Sequence, residues 1–150
     1  MGNPIVKNDR IGHLIGRRLE DEFRSAPDLE VREFTGSPLD LVSELAGCRR
    51  VIFVDAVACG AEPGSVIVFD DADLLAPDAG FYPHGLNFRE AITLFRKLDV
   101  PLPEKMILIG IEVGEIDEFG ETLSAELEGK LDEIYGRVLQ IVRRFLREST

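Results

Sequence analysis

Two carboxylates and an imidazole carry the most plausible chemistry in this sequence: Asp9, Asp55 and His84. Asp9 sits in Gly2-Asn3-Pro4 through Asn8-Asp9 to Gly12, a stretch whose Gly, Pro and Asn residues read as a turn from a strand into a helix. Asp55 closes the apolar run Val51-Ile52-Phe53-Val54, and His84 follows Tyr82-Pro83 in a loop ahead of a helix. Divalent transition metals accept mixed oxygen and nitrogen donors, so the three side chains suit one ion. They are far apart along the chain, and only the fold can bring them together. Each also has an ordinary role open to it. Asp9 favours the positive end of the first helix, Asp55 suits a strand-end turn, and His84 suits a packed or surface position. His13, just inside the first helix, reads as structural. Other catalytic plans lack their motifs: there is no GxSxG elbow, no HExxH and no Walker-type GxxxxGK, and Gly2-Asn3-Pro4 is not a GxGxxG fingerprint.

The elements that must position these residues follow from hydrophobic periodicity. Ile11, Leu14, Ile15, Leu19 and Phe23 predict an amphipathic helix over roughly 10–24. Leu29 to Phe34 alternates as a half-buried strand would. Ser37-Pro38, with Asp40 behind, predicts a capped helix with Leu41, Val42 and Leu45 inward and a stop near Gly47. Val51–Val54 and Val66–Phe69 read as strands covered on both faces. The link between them is short for a helical crossover, so the second is expected antiparallel to the first, at a sheet edge. A long polar stretch, 70–87, leads to a capping box at Asn87–Glu90 and a helix burying Ala91, Ile92, Leu94, Phe95 and Leu98. Met106–Ile111 is the last strand. An acidic loop, 112–121, precedes a closing helix from about Leu123 with Leu127, Leu131, Ile134, Val138, Ile141, Val142 and Phe145 on one face. This alternation predicts a single α/β domain over residues 1–150: three layers, a mostly parallel twisted sheet flanked by helices, and one antiparallel strand. Ligands of such sheets gather outside the carboxyl ends of the strands, where the three candidates fall.

Composition narrows the class of protein. The formal net charge of -11 argues against nucleic acid, which requires a dense basic patch. Arg17-Arg18, Arg49-Arg50 and Arg143-Arg144 with Arg147 read instead as solvated ends or faces of elements. No apolar run reaches the roughly 18 residues of a membrane span, and no secretory signal opens the chain. Cys48 and Cys59 lack CxxC spacing and read as small buried or half-buried side chains of a reducing compartment, which makes the cytoplasm the expected location.

The same residues resemble a family. Gly2-Asn3-Pro4, Asn8-Asp9 and Gly12 are similar to the opening signature of the nickel–iron hydrogenase maturation endopeptidases, roughly GNxxxxDD/ExxG. Val54-Asp55-Ala56 resembles the family's second acidic segment, and Pro83-His84-Gly85-Leu86 its histidine loop. Gly110-Ile111-Glu112, followed by Gly120 and Leu123-Ser124, resembles its last strand and the start of its closing helix. The fragments run in register along nearly the whole chain. Two positions depart from the pattern: Asn8 stands where the family often has Asp, and Phe34-Thr35-Gly36 replaces its Asp-x-Gly.

The resemblance implies a five-stranded α/β fold and a metal-dependent endopeptidase, of aspartic or nickel-dependent type. It would remove the C-terminal extension of a hydrogenase large-subunit precursor after nickel insertion. Asp9, Asp55 and His84 match the family's metal-binding positions. The nickel would be brought by the precursor, and no organic cofactor is implied. The family's first strand, an apolar run directly before Gly2-Asn3, is missing from the given chain, and roughly five to seven apolar residues are expected upstream of Met1. Two rival readings use the same edge: a non-catalytic α/β module that recognises a metallated partner protein, and a doubly wound enzyme of small molecules.

Overall fold

The computed structural model describes residues 10–34, 38–76, 88–114 and 123–148. Three strands form a mixed sheet: β1 (Arg50–Val57), β2 (Val66–Phe69) and β3 (Lys105–Glu112), in the order β1-β3-β2. β3 pairs with β1 in parallel, from Arg50↔Lys105 to Val57↔Glu112. It pairs with β2 antiparallel, from Val66↔Ile111 to Phe69↔Leu108. β2 therefore runs against β1, as the short link between them requires, but β3 lies between the two. Being central and covered on both faces, β3 is buried from Met106 to Glu112, which explains its unbroken apolar run.

Alternation along β3 builds two cores. Ile107, Ile109 and Ile111 face α1 (Ile11–Glu22) and α5 (Ala125–Arg147), meeting Ile11, Ile15 and Leu19 from one helix and Leu127, Ile134, Val138 and Val142 from the other. Met106 and Leu108 face the opposite way. They join Phe53 and Val57 of β1, Leu41 and Leu45 of α2 (Pro38–Leu45), Leu74 of α3 (Asp71–Leu74) and Ile92 of α4 (Phe88–Lys97). The result is a helix–sheet–helix sandwich, with α1 and α5 on one face and α2, α3 and α4 on the other. The long closing helix begins close to Leu123, as the sequence predicts, and both of its ends are complemented. Ser124 caps it through a bond from the Leu127 N–H, with Glu126 and Glu128 in the first turn and Arg144 and Arg147 in the last.

Three expectations need correction. Residues 29–34 form no strand: Val31 packs on the first core and Phe34 on the second, while Arg32 bonds to Glu44 of α2 and Glu33 to Arg17 of α1. Alternation dictates an extended chain with two different sides, and packing between two helices satisfies that without a ladder. The polar stretch 70–87, which carries no predicted element, opens with a short helix. Asp70 and Asp73 form a reciprocal capping box that opens α3, and Asp71 accepts from the Met106 N–H at 3.0 Å, fastening α3 to the start of β3. On α4, Ile92 and Phe95 are buried, but Leu94 and Leu98 are exposed. At about 100° per residue, they lie roughly 200° and 240° around the helix from Ile92. The expected caps at Ser37 and Asn87, and the acidic loop beyond Gly114, lie outside the described residues.

Candidate functional site

Asp55 is placed by the register of the sheet. Phe53 and Val57 point into the core beneath α2 and α4, so Asp55, between them in a two-residue repeat, points the same way. It lies at the carboxyl end of β1 opposite Gly110 of β3. A Cβ at Gly110 would meet Val57 Cγ1 at 2.8 Å and Phe69 Cε2 at 2.9 Å. The missing side chain thus lets Val57 and Phe69 close over the central strand beside the acid. Asp55 is only 6% exposed, and its Oδ1 accepts from the Ala56 N–H at 2.9 Å. A carboxylate at this depth is costly to hold ionised, and a cation docking beside it would be strongly attracted.

The second buried acid at this edge enters the sequence reading within Gly110-Ile111-Glu112, with no role attached to it. Glu112 ends β3 opposite Val57 and is 1% exposed. Its Oε2 accepts from the Cys59 N–H at 2.8 Å, the Cys59 thiol at 3.0 Å and the Ala61 N–H at 3.3 Å. Its Oε1 accepts from the Gly114 N–H at 3.0 Å. Burial pushes its carboxyl up, but these bonds from Cys59, Gly114 and Ala61 outweigh it and hold the group below the ordinary glutamate value. The Cys59 thiol moves the other way, raised first by burial and then by its bond to the carboxylate. The available signal was the strand-terminal position of Glu112 in an otherwise apolar run: an acid there must find donors from the loops that follow.

This arrangement makes a pH dependence testable. Glu112 binds its proton less readily folded than unfolded, so its contribution is complete above the ordinary value of 4.5 and is lost as pH falls through the lower folded value. The stability difference between the wild type and Glu112→Gln should be widest near pH 7 and narrow below about pH 4.5. Urea unfolding of both proteins from pH 7 to pH 3 would check this. A constant difference would show that the carboxylate's charge is not what the turn relies on.

Asp9 and His84 lie outside the described residues, so Asp55 is the one nominated ligand whose placement can be tested. Among the described residues no three His, Cys, Asp or Glu side chains gather as a metal-binding group. Asp55 offers an oxygen donor of the type a divalent ion takes. His13 is buried in α1, with its Nδ1 3.5 Å from Glu33. Cys48 and Cys59 are both free thiols, and Cys59, expected at least half-buried, belongs to an exposed turn. The basic pairs are largely matched with acids: Arg17 with Glu33, Arg18 with Asp132, Arg49 with Glu104 and Arg143 with Glu22. Arg50 instead stacks on the Phe145 ring, 3.8 Å from its centroid.

These features define an α/β protein with acidic residues buried at the carboxyl edge of a mixed sheet. The sequence pattern of the hydrogenase maturation proteases matches residues 14–141, and the chain belongs to that family. It is 20% identical over 147 residues to the hydrogenase expression/formation protein HoxM of Cupriavidus necator, covering 97% of this chain and 72% of that protein. The hydrogenase maturating endopeptidase HybD of Escherichia coli superposes with a TM-score of 0.72 at 21% identity, over 95% of this chain and 88% of HybD. The maturation protease HycI of Thermococcus kodakarensis gives 0.68 at 26% identity, again over 95% and 88% of the two chains. The protein is thus a protease of hydrogenase maturation, with the α/β fold and mixed open sheet of its relatives.

Proposed function

We propose that this protein is the endopeptidase that removes the C-terminal extension of a nickel–iron hydrogenase large-subunit precursor once nickel has been inserted. Asp55 carries the reading: in a chain of this family, a buried carboxylate lies near the carboxyl end of a strand, toward the edge where α/β proteins bind ligands. Asp9 and His84 are proposed as its companions around the metal. On this reading the nickel belongs to the substrate, held by the precursor's own donors, and the protease adds two carboxylates and an imidazole. Such a site is permissive and weak without the substrate, unlike a resident zinc centre with its closed ligand set. Hydrolysis adds water across the scissile peptide bond: a C–O bond forms, the C–N bond breaks, and the nitrogen takes up a proton. A bound divalent ion fixes the peptide near it and polarises either the carbonyl or the attacking water. The whole chain is proposed to act as one domain, in the cytoplasm. Among the described residues no helix is long and apolar enough to cross a membrane.

The test is to incubate the protein with nickel-loaded and nickel-free precursor and to follow precursor mass. A mass loss in the loaded sample alone is expected. Equal trimming of both samples would overturn the nickel requirement. Tight binding without trimming would favour the non-catalytic recognition module instead.

A further inference from the structure

Resting on that reading, we propose that Glu112 is a positioning residue for substrate: it locks the 59–61 turn into a preformed rim against which the precursor's scissile segment lies. The chain reaches this turn within a few residues of Asp55, at the end of β1. Ala58, Cys59 and Gly60 are exposed, whereas the carboxylate that holds the turn is 1% exposed. One side chain thus collects two backbone N–H groups and a thiol from the rim, and a further N–H from Gly114 beyond β3. The backbone fixes the rest of the connection independently. Gly64 N–H donates to Glu112 O, Glu112 N–H to Ser65 O, and Val113 N–H to Val57 O, while Lys130 Nζ donates to Pro63 O at 2.8 Å. The ladder and α5 therefore secure the base of the connection and residues 63–65 without Glu112. The carboxylate's own effect falls on 59–61, the part nearest Asp55. A turn without bulky side chains lets another backbone approach closely, and a rim already ordered spares the substrate the cost of ordering it.

Glu112→Gln provides the test, because an amide offers one acceptor oxygen where two are used and turns its NH2 toward donors. The first readout is alkylation of Cys59 by iodoacetamide, in a Cys48→Ala background. Losing the anionic acceptor should speed it at least about threefold if the latch exists. The second is the precursor itself. Its Kd for the variant should rise about tenfold, as expected when a loosened loop must be ordered on binding. Cleavage at saturating precursor should stay within about twofold, since the complex restores the rim and leaves Asp55 in place. A merely structural role would lower thermal stability and leave Kd unchanged, and that result would overturn the proposal. So would equal losses of rate and affinity, because they would place Glu112 in the chemistry. Wild-type protein that neither binds nor cleaves the loaded precursor would instead overturn the functional reading beneath it. If Glu112→Gln does not fold, Cys59→Ala carries the same test. It removes one of four donors and should raise Kd about threefold with the saturated rate preserved; unchanged Kd there overturns the proposal equally.

Discussion

Asp55→Asn is expected to lower precursor trimming by at least about 100-fold while the protein stays folded, the upper range for loss of a group that supports a metal site. Asparagine has nearly the same shape and keeps a carbonyl oxygen for the Ala56 N–H, which Asp55 now accepts at 2.9 Å. What disappears is the negative charge. The shape and this bond are kept, so the melting temperature should stay close to that of the wild type. Loss of activity without loss of stability would separate a functional acid from a structural one. The same logic extends to Asp9→Asn and His84→Gln, whose side chains would no longer supply a carboxylate and an imidazole nitrogen. His13→Gln serves as the control: His13 faces Glu33 from inside α1, and trimming by that variant should stay close to wild type. Calorimetry alongside the mass assay would decide. Trimming by Asp55→Asn within about threefold of wild type would remove Asp55 from the proposed site.

The sequence was legible where a residue's surroundings are set by its own element. β3 is apolar throughout because a central strand is covered on both faces, and the seven-residue face of α5 repeats at helical spacing for the same reason. Asp55 stood out because an acid directly after Val51–Val54 has few structural uses. Residues 29–34 were harder. Val31 and Phe34 do lie on opposite sides, as alternation implies, but a ladder depends on a neighbouring backbone that side-chain pattern does not encode. Hydrophobicity alone predicts Leu94 and Leu98 inward, and the helical angle from Ile92 places them outside. Glu112 has no role in the sequence reading because three of its four donors, from Cys59 and Ala61, lie more than fifty positions away, and no local motif announces such a partnership. Asp9 and His84 rest on family resemblance, without a described position.

Gly110→Ala should be the most informative change outside the acids, because it tests the close approach on which the edge around Asp55 is built. The new Cβ would meet Val57 Cγ1 at 2.8 Å and Phe69 Cε2 and Val57 Cγ2 at 2.9 Å each. Val57 is 0% exposed and branched at Cβ, so its methyls cannot swing clear. Relief must come from rotating Phe69 or from parting β1 and β3 at their carboxyl ends. Overpacking of this type costs roughly 1–3 kcal/mol, and the smaller entropy of an unfolded chain carrying alanine returns about 0.4–1 kcal/mol. The net lies between about 0 and 2.6 kcal/mol, centred near about 1.3 kcal/mol, which is roughly 3–5 °C in melting temperature for a domain of this size. Activity should fall further than stability predicts. Parting the strands opposite Gly110 displaces Asp55 itself, and displacements approaching 1 Å can cost about 100-fold in rate. Adding Phe69→Leu, which shortens the ring that the new methyl meets, should recover part of both losses. Wild-type stability in Gly110→Ala would mean that the strands yield freely at this point, and that the glycine is not what brings Val57 and Phe69 together beside Asp55.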